Sequence, residues 1–392
     1  MNDAILVINT GSSSIKFAVY INTKASALIR YVSGVVKGIG AQAAFSATLP
    51  AAGKQAPVTQ VEITAADHAQ ALQHIQDWLA ANTGDVKLLA VGHRVVHGGT
   101  HFTQAVHIDQ TVLTELRALI PLAPLHQPHA LHAIEALMAQ HAHLPQVACF
   151  DTAFHADMPR HEQHFALPRA LEQQGVRRYG FHGLSYAYIA SVLPTYLGET
   201  ANGKVVIAHL GHGVSMCALK DRHSIATTMS FTPLDGLPMG TRSGAIDPAV
   251  VLYLLERGMS AAEIAKLLHH QSGLLGLSGI SDDMQTLLVS SQMEAAEAVE
   301  YFCYRINREL GSLAAALAGL DALVFTGGIG EHAAAVRARI CDAAAWLGVR
   351  IDASANQVNA IDISAHDSSV SICVIPTDEE DIIARQTLTT IS

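Results

Sequence analysis

Two segments far apart in the chain share one pattern: an apolar strand, a tight turn of small residues and a second strand. The first covers residues 4–20 (AILVINTGSSSIKFAVY), and the second covers residues 204–219 (KVVIAHLGHGVSMCAL). A turn with small side chains lets backbone N–H groups approach a phosphate, and serine hydroxyls add further donors. One copy in each half of the chain predicts duplicated domains that close on one phosphorylated ligand.

The length and composition of the chain favour two α/β domains. A chain of 392 residues exceeds one ordinary hydrophobic core, and 50% hydrophobic with 15% charged residues suits buried sheets covered by helices. The formal net charge of −10 argues against a nucleic-acid partner, because a phosphate backbone requires a basic protein face. A small anion in a cleft requires only local arginines and lysines.

The five cysteines are dispersed, and none lies in a C-x-x-C pair. This pattern is typical of reduced, buried thiols in a cytosolic protein rather than of a disulfide scaffold. The N-terminus leads almost directly into a strand and carries Asp3 where a signal peptide has positive charge. The most apolar helical stretch, residues 313–320, is too short to span a bilayer. We therefore expect a cytoplasmic protein without a membrane partner.

Hydrophobic periodicity and turn residues predict the elements that carry these motifs. Helices are expected at about residues 66–81, 113–120, 129–140, 249–257, 261–269, 293–317 and 379–388, and strands at 88–93, 146–155 and 370–375 besides the two hairpins. No low-complexity linker separates the two halves. We therefore place one domain at residues 1–150, joined by the C-terminal helix 379–392, and the other at residues 151–378.

The first hairpin carries an amide, serines and one lysine around its turn. Asn9 and serines such as Ser12 can reach a metal ion or phosphate oxygens, and Lys16 is a point charge suited to a phosphate. The segment lacks the spacing G-x-x-x-x-G-K-[ST], so it is not the usual P-loop. A Gly/Ser hairpin alone is more often structural. The matching turn at residues 211–213 and a third glycine turn at 327–332 (GGIGEH) favour a nucleotide site.

Two arginines are candidates for an anion clamp. Arg94 follows a predicted strand in GHRVVHGG, and Arg242 lies in the glycine-flanked loop MGTRSG. A guanidinium binds carboxylate or phosphate oxygens through two parallel hydrogen bonds, and it neutralises charge on a transferring phosphoryl group. A loop arginine is more commonly a solvated surface charge, but a place beside glycines at a strand end favours a function here.

Four further acid–base or metal-binding candidates lie at turns or at a helix start. Asp151 in CFDTAFH and His182 in YGFHGLS stand next to aromatic residues, and Glu379 and Glu380 begin the last helix. Each has a structural alternative. An aspartate at a strand end often caps a turn, a lone histidine often bonds the backbone, and acidic residues favour a helix N-terminus even without a metal.

Nine motifs of the chain resemble, in order, those of the acetate/propionate kinases. They are VINTGSSSIKF, GHRVVHGG, PLAPLHQP, FDTAFH, YGFHG, HLGHG, FTPLDGLPMGTRSG, FTGGIGEH and IPTDEE, and they run over nearly the whole chain. The resemblance implies the acetate- and sugar-kinase/heat-shock/actin (ribonuclease H-like) fold, with two related α/β domains around a central nucleotide cleft, in a homodimer. It implies reversible, direct in-line transfer of the γ-phosphoryl group of ATP to a short-chain carboxylate, with acetate as the first candidate and propionate as the second.

The resemblance also implies roles at individual positions. Asn9 and Glu379 match the positions that bind Mg²⁺, for which Mn²⁺ can substitute. Asp151 matches the catalytic acid residue, while His182 and Arg242 match the groups that stabilise the transferring phosphoryl group. Substrate and nucleotide contacts are matched by Arg94 for the carboxylate, by Val96, Leu125, Phe181 and Pro233 for the acyl pocket, and by Lys16, Ser12, His209, Leu210, Gly211, His212, Gly213, Asp283, Met284, Gln285, Gly328, Ile329, Gly330, Glu331 and His332 for the nucleotide.

The substrate's chemistry limits what Asp151 has to do. A carboxylate is already ionised at neutral pH, so a strong general base has little to remove. The harder problem is to bring the carboxylate anion close to the negatively charged phosphates of the nucleotide. Mg²⁺, arginines and a lysine can offset the repulsion between them. We therefore expect Asp151 chiefly to orient the metal, an arginine or a histidine.

The chain departs from the family pattern at several positions. His212 and His332 stand where asparagine is usual, and Gln285 stands where arginine is common. Tyr186 replaces a common histidine, and Ala245 replaces a common aspartate. The first three lie on the nucleotide side, so a different phosphoryl donor such as pyrophosphate is an alternative.

Two further alternatives come from other functional classes. A nucleotide sensor of the actin or heat-shock type would need no substrate clamp, so the candidate arginines speak against it. A zinc hydrolase is suggested by the 22 histidines, among them His126, His129 and His132 at a spacing of three. These lack both H-E-x-x-H and a completing cysteine pair, which disfavours a zinc site.

Overall fold

The computed structural model describes residues 2–23, 28–51, 54–55, 59–84 and 86–392. The chain divides into two compact units. The first consists of Met1–Phe154 together with Asp378–Ser392, and the second is His155–Thr377. Asp151 therefore lies in the first unit.

The elements follow one another in a mixed α/β order. The strands are β1 Asn2–Thr10, β2 Ser14–Asn22, β3 Leu28–Lys37, β4 Ala43–Thr48, β5 Pro50–Ala51, β6 Lys54–Gln55, β7 Thr59–Ile63, β8 Val86–Val95, β9 Val106–His107, β10 Gln146–Phe150, β11 Lys204–Leu210, β12 Val214–Lys220, β13 His223–Thr227, β14 Ala322–Thr326 and β15 Ser371–Val374. The helices are α1 His68–Asn82, α2 Gln110–Ala118, α3 Gln127–Gln140, α4 Arg160–Gln163, α5 Arg169–Gln173, α6 Gly183–Leu197, α7 Pro248–Glu256, α8 Ala261–His270, α9 Gly273–Ser278, α10 Met284–Val289, α11 Met293–Leu317, α12 Gly327–His332, α13 Ala334–Ala343, α14 Ala353–Gln357 and α15 Glu379–Ile391.

The first unit is built on one mixed sheet in the order β7-β4-β3-β2-β1-β8-β10-β9. The central strand β1 is buried along nearly its whole length, as expected for a strand covered on both faces. Apolar residues of α1 and α3 pack on one face, while α15 packs on the other. A Cβ at Gly92 of β8 would lie 2.2 Å from Thr387 Oγ1, so only glycine lets α15 approach the sheet so closely.

The second unit contains a five-stranded sheet in the order β13-β12-β11-β14-β15. Its strands β11 and β14 are apolar and almost wholly buried. The long helix α11 contacts β11, β12 and β13, and its buried residues recur at helical spacing along one side.

The two units repeat one topology. In the first, β3, β2 and β1 pair antiparallel, and β1, β8 and β10 then pair parallel. In the second, β13, β12 and β11 pair antiparallel, and β11, β14 and β15 then pair parallel. The shared order and directions confirm the predicted duplication of an α/β unit, and both predicted hairpins are present as β1–β2 and β11–β12.

Some local predictions were wrong. The glycine motif at residues 327–332 is not a turn but the short helix α12, which begins where Glu331 Oε1 accepts a hydrogen bond from Gly327 N at 2.9 Å. The predicted strand 146–155 ends at Phe150, because residues 153–155 form a 3₁₀ turn. Helix α6, which contains Pro194, was not predicted.

None of the helices in the described ranges combines the length and the apolar character that are needed to cross a membrane.

Candidate active site

Three strands of the first unit present polar side chains at one edge of the sheet. Asn9 lies near the end of β1, Arg94 lies near the end of β8, and Asp151 directly follows β10. Because β1, β8 and β10 are parallel, their carboxyl ends meet at the same edge. The structure thus brings together three predicted site residues that are far apart in the sequence.

Arg94 and Asp151 form a two-point ion pair. Arg94 Nε donates to Asp151 Oδ1 at 3.1 Å, and NH2 donates to Oδ2 at 2.7 Å. The Asp151 side chain is 2% exposed and that of Arg94 is 17% exposed. Burial raises the pKa of Asp151, and the Arg94 charge counteracts this. Burial alone lowers the pKa of Arg94, but the charges of Asp151 and Glu379 outweigh it, so the guanidinium stays protonated.

Asn9 connects this ion pair to the start of α15. Its Oδ1 accepts from Arg94 NH1 at 3.3 Å, and its Nδ2 donates to Glu379 Oε2 at 3.2 Å and to Glu380 Oε1 at 3.0 Å. In the part of the chain that the structure describes, no three His, Cys, Asp or Glu side chains are grouped as metal ligands. The oxygen donors nevertheless fit Mg²⁺, which proteins hold through one or two carboxylates while substrate phosphates and water complete the shell.

The sequence reasoning missed two residues that hold the start of α15. Asp378 caps this helix by accepting from Asp381 N at 3.1 Å. Arg30 forms an ion pair with Asp378 and also donates to the hydroxyl of Tyr20 at 2.9 Å. Burial raises the pKa of Tyr20, so the phenol stays protonated. Glu379 is therefore placed by a helix whose first turn is fixed to strands β2 and β3.

The other predicted site residues of the first unit differ in how far their side chains are exposed to solvent. Lys16 is exposed on β2 and stands opposite Asn9 in the strand register, and Ser12 is exposed in the hairpin turn. Val96, predicted to line the acyl pocket, is 3% exposed. Leu125, predicted for the same pocket, is half-buried.

In the second unit, His182 lies at the start of α6 in an unusual backbone conformation. Its φ of 59° is in the left-handed region, which few non-glycine residues adopt. Its Nδ1 is 2.8 Å from Ser215 Oγ, and its ring lies 4.4 Å from that of His209. His209, which is predicted to contact the nucleotide, is thus in direct contact with His182.

The predicted nucleotide segments of the second unit meet where β11 and β14 end side by side. The turn 211–213 closes with a Gly211 N to Gly213 O bond of 3.1 Å, and α12 carries Gly328, Ile329, Gly330, Glu331 and His332. Ser185 Oγ lies 2.8 Å from His209 Nδ1 and 2.9 Å from Thr377 Oγ1. Leu210 is fully buried at the end of β11.

The third predicted nucleotide segment is tied to the glycine turn by a surface pair. His212 Nε2 lies 3.0 Å from Asp282 Oδ2, and the two side chains are 63% and 45% exposed. Asp283 caps α10 by accepting from Thr286 N at 3.0 Å, and the hydrogen bonds from Thr286 lower the pKa of this carboxyl. Met284 is buried, whereas Gln285 is exposed.

Arg242 is held in its loop by one contact to the backbone and one to a side chain. Its NH1 donates to Pro233 O at 3.1 Å and approaches Met239 Sδ at 3.7 Å. Burial, together with the Arg242 and His270 charges, lowers the pKa of His269 to about 4. The other two residues predicted to line the acyl pocket are Phe181 and Pro233. Both belong to the second unit, and Phe181, which precedes His182 in the sequence, is buried.

The sequence reasoning also missed His155, which anchors the segment before His182. Nε2 of His155 donates to Phe181 O at 3.0 Å, and its Nδ1 accepts from Ser224 Oγ at 2.8 Å. The ring is fully buried, and burial lowers its pKa to about 4. The sequence signal for His155 was the motif FDTAFH, of which it is the last residue.

Comparison with known proteins gives the same family throughout the chain. The model of the acetokinase family matches residues 4–385. A protein of Rhodopseudomonas palustris named acetate kinase is 55% identical over 390 residues, which is 98% of each chain.

Solved structures agree with this result. The acetate kinase of Porphyromonas gingivalis superimposes with a TM-score of 0.87 at 35% identity, covering 100% of both chains. A propionate kinase of Francisella tularensis superimposes with a TM-score of 0.89 at 38% identity, covering 98% of both chains. The similarity therefore extends over both units.

Proposed function

The chain belongs to the acetokinase family, and we propose that it acts as an acetate kinase. The reaction is the reversible transfer of the γ-phosphoryl group of ATP to acetate, which gives acetyl phosphate and ADP. The observation that carries this proposal is the buried Arg94–Asp151 pair, in a chain 55% identical over 98% of its length to an acetate kinase.

Arg94 is the proposed partner of the acetate carboxylate. Acetate is ionised at neutral pH and is repelled by the phosphates of ATP, so a fixed positive charge has to bind it. The guanidinium of Arg94 keeps its charge, and Asn9 and Asp151 restrain its orientation. A guanidinium that is already oriented loses little entropy on binding a carboxylate.

Asp151 is proposed to orient Arg94 rather than to remove a proton. Acetate has no proton to lose at neutral pH. The carboxylate of Asp151 already accepts three hydrogen bonds from Arg94. Its proposed contribution is therefore to the position and charge of the arginine.

Asn9 and Glu379 are the residues proposed to hold Mg²⁺, with Glu380 beside them. Their oxygen donors match the preference of this hard cation. When bound, Mg²⁺ neutralises charge on the nucleotide phosphates. Asn9 also bonds Arg94, so the proposed metal ligands and the carboxylate clamp share one residue.

The second unit is proposed to supply the groups that stabilise the transferring phosphoryl group. His182 and Arg242 are the candidates, because a hydrogen-bond donor and a guanidinium can both neutralise charge on equatorial oxygens. The glycine turn 211–213, the helix α12 and the segment 283–285 are proposed to bind ATP. Direct in-line transfer to acetate then requires no phosphoenzyme.

The proposed acyl pocket consists of small or apolar side chains. One methylene in such a pocket is worth about 1–3 kcal/mol, so propionate is expected as a slower substrate rather than an excluded one. The residues are Val96, Leu125, Phe181 and Pro233.

A homodimer is proposed from an exposed apolar helix. Helix α7 (PAVVLYLLE) has no buried residue, and its Leu252 and Tyr253 are 60% and 58% exposed. A monomer rarely exposes a continuous apolar helix of this kind, because the surface is more stable when it is covered. A second copy of this chain is the proposed cover.

A cytoplasmic location is proposed from the substrate and the thiols. All five cysteines are buried and free, as is usual in a reducing compartment. The proposed substrate, ATP, is a cytoplasmic metabolite.

Trapping of the product tests the proposed activity. The purified protein is incubated with acetate, propionate or butyrate and with MgATP or pyrophosphate, and acyl phosphate is converted by hydroxylamine to a coloured hydroxamate. We expect the highest rate with acetate and MgATP. Absence of hydroxamate with every acid and donor would disprove the kinase.

A further inference from the structure

A chain of hydrogen bonds runs from Tyr186 through Ser215 to His182. Tyr186 Oη lies 2.5 Å from Ser215 Oγ, and Ser215 Oγ lies 2.8 Å from His182 Nδ1. Tyr186 and Ser215 are both fully buried. Tyr186 stands at a position where the family resemblance leads one to expect histidine.

The protons of Tyr186, Ser215 and His182 can be assigned so that each hydrogen bond is donated in the direction from Tyr186 to His182. Burial raises the pKa of Tyr186 well above its usual range, so the phenol keeps its proton, and Ser215 Oγ is placed to accept it. Ser215 then has one proton of its own to donate, and His182 Nδ1 is placed to accept it. With the proton on His182 Nδ1 instead, Ser215 would accept from the histidine and donate to Tyr186 Oη, and a neutral His182 would have no proton on Nε2 to donate.

The direction of these bonds determines the tautomer of the histidine. A neutral imidazole whose Nδ1 accepts a hydrogen bond carries its proton on Nε2. This nitrogen lies beside the glycine turn, since a Cβ at Gly213 would be only 3.1 Å from it. A donor at this position can bond a phosphoryl oxygen without the histidine having to be positively charged.

We infer that Tyr186 and Ser215 are positioning residues that hold neutral His182 with its proton on Nε2, directed at the phosphoryl group. This inference rests on the proposed function for the role of His182, but the tautomer itself can be measured without substrate. Neither Tyr186 nor Ser215 touches the reacting atoms. Their effect passes through His182.

The tautomer is measured first, by ¹⁵N NMR of the histidine rings in the full-length protein at pH 8, with His182 assigned from the signals that His182→Gln removes. We expect a protonated Nε2 and an unprotonated Nδ1 in the wild-type protein. A protonated Nδ1 would overturn the inference. Because no ligand is present, this result is independent of whether the protein phosphorylates acetate. A failure of the kinase assay would overturn the proposed function alone.

Kinetics of Tyr186→Phe then test the contribution to turnover. The ring and its edge contact with His155, at 5.6 Å between centroids, are retained, so the variant is expected to fold. We expect kcat to fall about tenfold while KM for acetate and for ATP stays within about twofold, because positioning for the transition state is lost without loss of ground-state contacts. The ¹⁵N shifts of Nδ1 and Nε2 should converge as the tautomers mix.

The matched control is Tyr179→Phe. It also removes a phenol hydroxyl, which donates to Gly175 O at 2.8 Å rather than to Ser215. Its kcat is expected to equal that of the wild type. Equal loss of kcat in both tyrosine variants would overturn the inference, because it would indicate a general packing effect.

Non-additivity provides the last test. Ser215→Ala is expected to lower kcat at least as much as Tyr186→Phe, and the double variant should be no slower than Ser215→Ala alone, since Tyr186 acts only through the serine. Additive losses of kcat would overturn the inference that Tyr186 acts through Ser215.

Discussion

Arg94 and Asp151, contributed by the ends of adjacent parallel strands, face each other with two parallel contacts of 3.1 Å and 2.7 Å. Asp151 is almost completely buried, so Arg94 provides the charge that offsets the cost of its burial. The pair thus has a structural role as well as the proposed role in carboxylate binding, and substitutions can separate the two.

Arg94→Ala is expected to weaken both functions. KM for acetate should rise about 10- to 100-fold, as for the loss of a charge-assisted hydrogen bond, and the stranded Asp151 should lower the free energy of unfolding by about 3–5 kcal/mol. Initial rates against acetate concentration and urea unfolding measure the two effects.

Two matched variants accompany Arg94→Ala. Arg117→Ala breaks a half-exposed pair with Glu135 and should change the free energy of unfolding by less than about 1 kcal/mol. Adding Asp151→Asn to Arg94→Ala should recover part of the lost stability but not the affinity for acetate. An unchanged KM in Arg94→Ala would show that another group binds the carboxylate.

Arg242→Ala should lower kcat by about 10³-fold or more, because an arginine that stabilises the transferring phosphoryl group contributes on this scale. The expected change lies in kcat, measured by coupled ADP release at saturating acetate. Arg222→Ala removes an exposed arginine bonded to Asn202 and should leave the rate unchanged. Near-wild-type turnover in Arg242→Ala would contradict its assignment.

Glu379→Gln should raise the Mg²⁺ concentration needed for half-maximal rate by about tenfold or more, since one carboxylate ligand is lost while the shape of the side chain is kept. Glu294→Gln is the control, because Glu294 occupies the first turn of α11 in the same way but is exposed and distant in sequence. A shift of equal size in both variants would indicate a general charge effect.

His93 should make the first unit sensitive to acid. Burial lowers its pKa to about 4, against about 6.5 in the unfolded chain, and its Nε2 donates to Gln146 Oε1 at 2.7 Å. Between these pH values only the unfolded chain takes up the proton, so stability is lost as the pH falls below about 6.5. At pH 5 the loss from this group should be about 2 kcal/mol.

Urea unfolding at pH 7.5 and pH 5.0 measures this effect. His93→Gln should reduce the difference between the two pH values by about 2 kcal/mol, whereas the exposed His141→Gln should leave it as in the wild type. An undiminished pH dependence in His93→Gln would assign the acid sensitivity to other groups.

Leu252→Glu should convert the proposed dimer into a monomer of 41.5 kDa, because a charge would be buried in the interface that α7 forms. Light scattering after size-exclusion chromatography gives the mass directly. Val358→Glu, at another exposed apolar position, should leave the mass at twice the monomer value. A monomeric wild-type protein would refute the dimer.

Much of the architecture follows from local patterns in the amino-acid sequence. Alternating and continuous apolar runs are visible in one strand at a time, so both hairpins and the boundaries of α11 could be predicted closely. The ordered motifs also identified Asn9, Arg94, Asp151 and Glu379 as candidates, because residue type and neighbouring glycines are properties of the linear chain. The helix α12 was mistaken for a turn because three of its six residues are glycines, which are typical of turns, and the hydrogen bond from Gly327 N to Glu331 forms only in the folded chain.

The choice of partners depended on the folded chain. Nothing in the linear order indicates that Asp151 binds Arg94, or that Ser215 stands between Tyr186 and His182, since these pairs form only when strands and helices from distant segments pack together. Burial acts in the same way: His93 and His141 are the same residue type, and only packing removes water from one of them. Local sequence encodes conformation and chemical type, whereas distance, desolvation and hydrogen-bond direction are set by contacts between segments that the chain brings together on folding.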